Sequence, residues 1–135
     1  IFPSMIYYKK NQRLVYLLFI AFLVSSILAL VIKLIVLRQR PEEAFVYPFV
    51  NIINYSFPSM HAMVAFSLLP FLIKFMPKQK ILWICFAFLT AFSRLYLGFH
   101  FLSDVVFGTF AGYFIGEYLS GLHWKGKSWK SANLN

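Results

Sequence analysis

Ser93-Arg94-Leu95-Tyr96-Leu97-Gly98-Phe99-His100-Phe101-Leu102-Ser103-Asp104 is the stretch on which the reading of the chain turns. It sets an arginine, a histidine and an aspartate inside an otherwise oily sequence, and its Gly98 breaks one apolar run from the next. Ionisable groups at membrane depth are costly, so their first reading is functional. His100 and Asp104 are four residues apart, a spacing that stacks two side chains on one helix face. The carboxylate can then accept a hydrogen bond from one imidazole nitrogen, fixing the tautomer and leaving the other nitrogen to react. Arg94, a short turn upstream, can hold an anion in front of that nitrogen.

Working outward, the 135 residues are 61% hydrophobic and 21% aromatic. That is too apolar for a water-soluble domain of this size, and the expected class is an all-α integral membrane protein of one domain, residues 1–135. The formal charge of +9 raises nucleic acid as a partner. The basic residues, however, sit at the ends of apolar runs and form no stripe, so no nucleic-acid partner is expected. The single cysteine, Cys85, can form no internal disulfide. The chain opens at Ile1 with no methionine and no signal-peptide pattern.

Four spanning helices are expected. Residues 1–13 read as an interfacial segment, with Tyr7 and Tyr8 before Lys9, Lys10 and Arg13. Leu14 to Leu37 is the first span, apolar except for Ser25, Ser26 and Lys33, and Pro41 follows it. A loop rich in aromatics leads to Pro58-Ser59, where Ser59 is a natural N-cap for a second helix ending near Met76. Pro77 to Lys80 is a tight polar turn, and a third helix runs from Ile81 to Leu97. A fourth is expected from Phe99 to Leu119, with Gly108, Gly112 and Gly116 at four-residue spacing, which lets helices approach closely in lipid. The tail, residues 120–135, reads as an interfacial and then disordered cytoplasmic segment.

Four crossings fix sidedness. Lys9, Lys10, Arg13, Lys74, Lys78, Lys80, Lys125, Lys127 and Lys130 fall on one side, which the positive-inside rule makes cytoplasmic. Lys33, Arg38, Arg40 and Arg94 fall on the other, with Glu42, Glu43, His61, His100 and Asp104. The expected location is the plasma (inner) membrane, with the polar cluster facing the periplasm or cell exterior.

Folding back brings three distant pieces to that face: Lys33 with Arg40, Pro58-Ser59-Met60-His61, and the Arg94, His100, Asp104 stretch. A helix N-terminus favours an anion. Three cations beside it can bind a phosphoryl group and stabilise its transfer with no metal or other cofactor. His100 can then attack phosphorus, and His61 can protonate the leaving oxygen.

Lys33-x6-Arg40-Pro41, Pro58-Ser59-x-His61 and Ser93-Arg94-x5-His100-x3-Asp104 resemble, in order and spacing, the three signature motifs of the phosphatidic acid phosphatase type 2 superfamily. That superfamily also holds bacterial acid phosphatases and vanadium haloperoxidases. The resemblance implies His100 as the nucleophile that becomes phosphorylated, Asp104 as its orienter and His61 as general acid. It implies Lys33, Arg40, Ser59, Arg94 and the backbone N–H near Met60 as phosphate ligands, and a phosphorylated lipid as substrate. Met60 stands where the family has glycine, which keeps the backbone donor but narrows the pocket. Many-span members often have six helices, so two upstream crossings are expected to be absent from this chain.

Duller readings exist for each residue. Lys33 could snorkel, Arg38 reads best as an interfacial anchor, and Arg94 with Asp104 could be a structural ion pair. His61, His100 and Asp104 could instead bind a metal, although Lys33, Arg40 and Arg94 make a poor neighbourhood for one. A non-catalytic anion-binding membrane subunit is a further alternative. Glu117 and His123 match no motif and read as a bundle polar residue and an interfacial residue. The aromatic loop, Phe45 to Phe57, reads as packing or interface and not as a cofactor box, with guidance of a lipid tail toward the site as a further hypothesis. Replacing Tyr47 and Phe49 by alanine should then impair hydrolysis of long-chain substrates more than of short soluble ones, and equal impairment removes that role.

Overall fold

The computed structural model describes residues 12–41 and 54–132. These form four helices: α1 (Gln12–Val36), α2 (Met60–Phe75), α3 (Lys80–Tyr96) and α4 (Leu102–Ala132), with a short 3-10 turn, Pro77–Gln79, between α2 and α3. No strand occurs among the described residues. The interfacial segment expected before residue 12, and Glu42, Glu43 and most of the aromatic loop, lie outside them.

Local chemistry explains where each helix stops. At the end of α1, Leu37 takes a left-handed backbone (φ 52°) while its N–H donates to the Lys33 carbonyl at 3.0 Å. Such a left-handed cap normally falls to glycine, and it turns the chain sharply. Ser59 caps α2, its hydroxyl accepting a long bond from the Ala62 N–H at 3.5 Å. The end of α3 is a Schellman motif. Gly98 (φ +70°) donates to the Leu95 carbonyl and Phe99 to the Arg94 carbonyl.

The fourth helix begins later than its sequence suggests, at Leu102 and not Phe99. Asp104 is the cause: its Oδ2 accepts the Phe101 N–H at 2.8 Å, one half of a capping box. His100 is thus pinned in a turn between two helix caps rather than carried on α4. The helix also continues past Leu119 to Ala132, where a disordered tail was expected. Gly121 and Gly126 weaken a helix by roughly 1 kcal/mol each but do not end it, and no proline follows.

α4 lies along α2, α1 covers both, and α3 flanks α2. The α2–α4 contact is backbone to backbone. A Cβ on Gly108 would stand 2.7 Å from the Ser59 carbonyl oxygen. On Gly112 it would stand 2.1 Å from the Met63 oxygen, and on Gly116 2.1 Å from the Ser67 oxygen. Glycines every fourth residue on α4 therefore meet carbonyls every fourth residue on α2, close enough for Cα–H···O contacts.

Small and polar residues line much of the interior, alongside the buried Met63, Phe66, Leu69 and Phe71, and the exterior is greasy. Ala21, Ser25, Ala29 and Lys33 form the buried stripe of α1, while Phe19, Phe22, Ile27, Leu34 and Ile35 on its other faces are exposed. α3 shows Ile81, Leu82, Phe86, Phe88, Leu89 and Phe92 outward, and α4 shows Phe110 and Phe114. This sorting suits a hydrocarbon surround, where packing rather than water exclusion selects interface residues.

Of the four expected crossings, α1 is the helix long and apolar enough to span by itself, with 23 residues from Leu14 to Val36. α2 and α3 have 16 and 17 residues, and α4 is diluted by Asp104, Glu117 and its glycines. At the end of the bundle away from His100, Lys74 pairs with Glu117 and donates to the Ser120 hydroxyl at 2.9 Å. The side chain of His123 lies outside the described ones.

Gly112→Ala should force α2 and α4 apart at a cost of about 2 kcal/mol or more, as overpacking against rigid backbone does. The melting temperature in detergent should drop, whereas Gly121→Ala, with open space around it, should not lower it.

Candidate active site

Turns and helix ends at one end of the bundle supply every candidate residue. Lys33 comes from the last turn of α1 and Arg38 and Arg40 from the segment after it. Ser59, Met60 and His61 open α2, Arg94 closes α3, and His100 and Asp104 flank the start of α4. The two helix starts are bonded directly, the Ser59 N–H donating to the Asp104 carbonyl at 3.1 Å.

Three successive backbone carbonyls position three of the side chains. Asn54 O accepts from Arg40 Nε at 3.1 Å, Tyr55 O accepts from Lys33 Nζ, and Ser56 O lies 2.7 Å from His100 Nδ1. The segment is itself held to the chain beyond α1. The Ser56 N–H donates to Arg38 O at 2.7 Å and the Ser56 hydroxyl to Gln39 O at 3.1 Å. Lys33 is only 2% exposed, so it does not snorkel. The carbonyls went unseen in the sequence, because a backbone acceptor is common to every residue type.

A carbonyl can only accept, so His100 Nδ1 carries the proton, and Nε2 of the neutral ring presents its lone pair. Asp104 does not fill the expected hydrogen-bonding role. Its Oδ2 is 3.7 Å from Nδ1 and is taken by the Phe101 N–H, while its Oδ1 pairs with Arg38 Nη1 at 2.9 Å. Arg38, expected as a plain anchor, thus holds a fully buried carboxylate, and it also donates to Ser103 Oγ at 2.6 Å. The Arg94–Asp104 ion pair weighed from the sequence does not form; Arg94 Nε donates to Ser93 Oγ at 3.2 Å.

Arg40 and Arg94 converge on the ring of Phe99, with guanidinium carbons 5.8 and 5.5 Å from its centroid. Arg40 Nη1 also donates to Phe99 O at 3.4 Å. His61 is exposed toward this end, close enough to Arg94, Arg40 and Lys33 for all three to act on it electrostatically. Met60 and His61 occupy the first turn of α2, whose N–H groups have no carbonyl within the helix to bond. The Met60 backbone N–H can therefore donate to an anion. Among the described residues no three of His, Cys, Asp and Glu gather closely enough to share a metal ion, which counts against the ligand set His61, His100 and Asp104.

His100 is 5% exposed. Burial, with Arg40 and Lys33 nearby, pushes its imidazole down from 6.5 to about 4, against the opposing pull of the Ser56 carbonyl and Asp104. The ring is therefore neutral across the physiological range.

The PAP2 superfamily model matches residues 13–127, and the chain belongs to that superfamily. It is 32% identical over 120 residues to undecaprenyl-diphosphatase of Sulfolobus acidocaldarius, a match covering 85% of this chain and 56% of that protein. It is 34% identical over 116 residues to phosphatidylglycerophosphatase B of Bacillus subtilis, covering 78% of this chain and 55% of that one. Its fold is similar to the crystal structure of a transmembrane PAP2 type phosphatidylglycerolphosphate phosphatase from Bacillus subtilis. There the TM-score is 0.73 at 29% identity, over 91% of this chain and 65% of the other. The chain spans about half the length of the curated relatives it matches.

Between pH 6.5 and about 4 the unfolded imidazole takes up a proton that the folded one refuses. Stability from His100 is therefore present above pH 6.5 and lost as pH falls toward 4. A His100→Gln variant should show a flatter fall of melting temperature over that window than wild type; identical slopes would mean that His100 is not held neutral.

Proposed function

We propose that this chain carries the catalytic site of a membrane lipid phosphatase, cleaving a phosphate monoester or diphosphate at a lipid headgroup without a metal ion. The supporting observation is the gathering of Lys33, Arg40 and Arg94 around His61 at the end of the bundle that holds His100, whose Nδ1 is tied to a carbonyl. Such a site suits a substrate whose charge lies in the headgroup and whose tail stays in the bilayer. The activities after which the relatives are named make polyprenyl diphosphate and phosphatidylglycerophosphate the first substrates to test, with phosphatidate and phosphorylated lipid A next. The site faces the periplasm or cell exterior by charge asymmetry, in a plasma (inner) membrane.

In the first step the Nε2 lone pair of His100 forms a bond to phosphorus as the phosphorus–oxygen bond to the leaving group breaks. Protonated His61 gives its proton to the departing oxygen. Lys33, Arg40, Arg94, Ser59 and the N–H groups opening α2 bind the phosphoryl oxygens and stabilise their charge in the transition state. The phosphorylated ring is cationic, and the Asp104 carboxylate beside it favours that state. In the second step water gives a proton to neutral His61 and attacks phosphorus. The phosphorus–nitrogen bond breaks, inorganic phosphate leaves, and His100 recovers its lone pair.

The test is phosphate release by purified protein from the four lipid classes, with and without a chelator. His100→Ala should abolish release, and His61→Ala should lower kcat on the order of 10²- to 10⁴-fold. Vanadate should inhibit and the chelator should not. Full turnover by His100→Ala would refute the nucleophile, and activity lost to chelator and restored by Zn²⁺ would favour metal chemistry.

A further inference from the structure

Arg38 lies inside the first motif at a position that the motif leaves open, and the phosphate-binding set leaves it out. Its contacts nevertheless run to the centre of the site. Nη1 pairs with Asp104 Oδ1 at 2.9 Å and donates to Ser103 Oγ at 2.6 Å. The guanidinium carbon sits 4.2 Å from the centroid of the Phe101 ring. Three consecutive contacts along the start of α4, at residues 101, 103 and 104, thus converge on one side chain. Arg38 is also continuous with the strap that carries the His100 partner, since its own carbonyl accepts the Ser56 N–H.

Asp104 has two oxygens and three claimants. Arg38 holds Oδ1, the Phe101 N–H holds Oδ2, and His100 Nδ1 waits 3.7 Å from Oδ2. With its charge met by Arg38, the carboxylate stays on the helix cap and the imidazole donates to Ser56 O. Without Arg38, the buried carboxylate would lose the partner of its charge and would no longer be fixed on the cap beside Nδ1–H. The ring lies between that carboxylate and the Ser56 carbonyl, so a shift of the carboxylate would disturb the aim of Nε2.

We infer that Arg38 is a positioning residue that aims the His100 nucleophile by fixing Asp104 on the cap of α4, beside the imidazole. The inference rests on the phosphatase reading above. It separates Arg38 from Lys33, Arg40 and Arg94: those cations bind the phosphoryl group, while Arg38 acts through the carboxylate. Substrate affinity should therefore survive its loss and the chemical step should not.

The experiment compares kcat, KM and vanadate inhibition of wild type, R38Q and R38K on one prenyl diphosphate or phosphatidylglycerophosphate substrate. A misaimed nucleophile predicts that R38Q loses kcat on the order of 10- to 100-fold. KM and the vanadate inhibition constant should stay within about threefold of wild type, as removal of a transition-state contribution requires. R38K keeps the charge but not the forked geometry, so its kcat should lie between the two. Should R38Q fail to fold, R38K alone decides, with lowered kcat at unchanged KM as the supporting result and wild-type kcat as the opposing one. A rise in KM with kcat unchanged would make Arg38 a substrate ligand and overturn the inference. Active wild type with unaltered R38Q overturns only the role of Arg38, whereas wild type that releases no phosphate overturns the phosphatase reading and this inference with it.

Discussion

The structure depends on the absence of side chains along one line of α4. Gly108, Gly112 and Gly116 let its backbone rest directly on the carbonyls of Ser59, Met63 and Ser67 in α2. That contact sets the two helix starts side by side, where the Ser59 N–H reaches the Asp104 carbonyl. The distance between the first turn of α2, which can receive an anion, and the turn that holds His100 is thus fixed by packing several residues away. A methyl group at the contact would displace one half of the site from the other. In lipid, where apolar surfaces gain little by meeting each other, close backbone approach is one of the few strong ways to hold helices in register.

The second constraint is electrostatic. Lys33, Arg40 and Arg94 repel one another, and nothing in a bilayer would keep them together unaided. Two of them are tethered to backbone carbonyls of a single segment, at Tyr55 and Asn54, and the third closes α3 against Phe99. Fixed donors that need not reorganise when charge develops are what transition-state stabilisation requires. The same segment holds His100 through Ser56, so His100 and two of the cations share one support. Apolar faces then turn outward and leave polar groups gathered at this end.

Much of this was legible in the residues. Three motifs at set spacings pointed to the family, and the runs between them set the order of the helices among the described residues. Proline, serine and glycine marked where α2 begins and α3 ends, because caps and left-handed turns demand those residue types. The sequence also placed the three cations, His61 and His100 at a common end, since helices that fold back must alternate.

What the residues alone determined, then, was chemistry carried by side-chain type and spacing: an all-helical, membrane-suited chain with a cationic, histidine-bearing end. Tertiary structure decided who bonds to whom. His100 and Asp104 stand four apart, yet the helix cap begins between them and their hydrogen bond does not form. The imidazole partner is a carbonyl 44 residues away, and the carboxylate partner is an arginine 66 residues away in a position that no motif marks. Backbone acceptors carry no signature in the sequence, and an ion pair between distant residues exists only after the helices have packed.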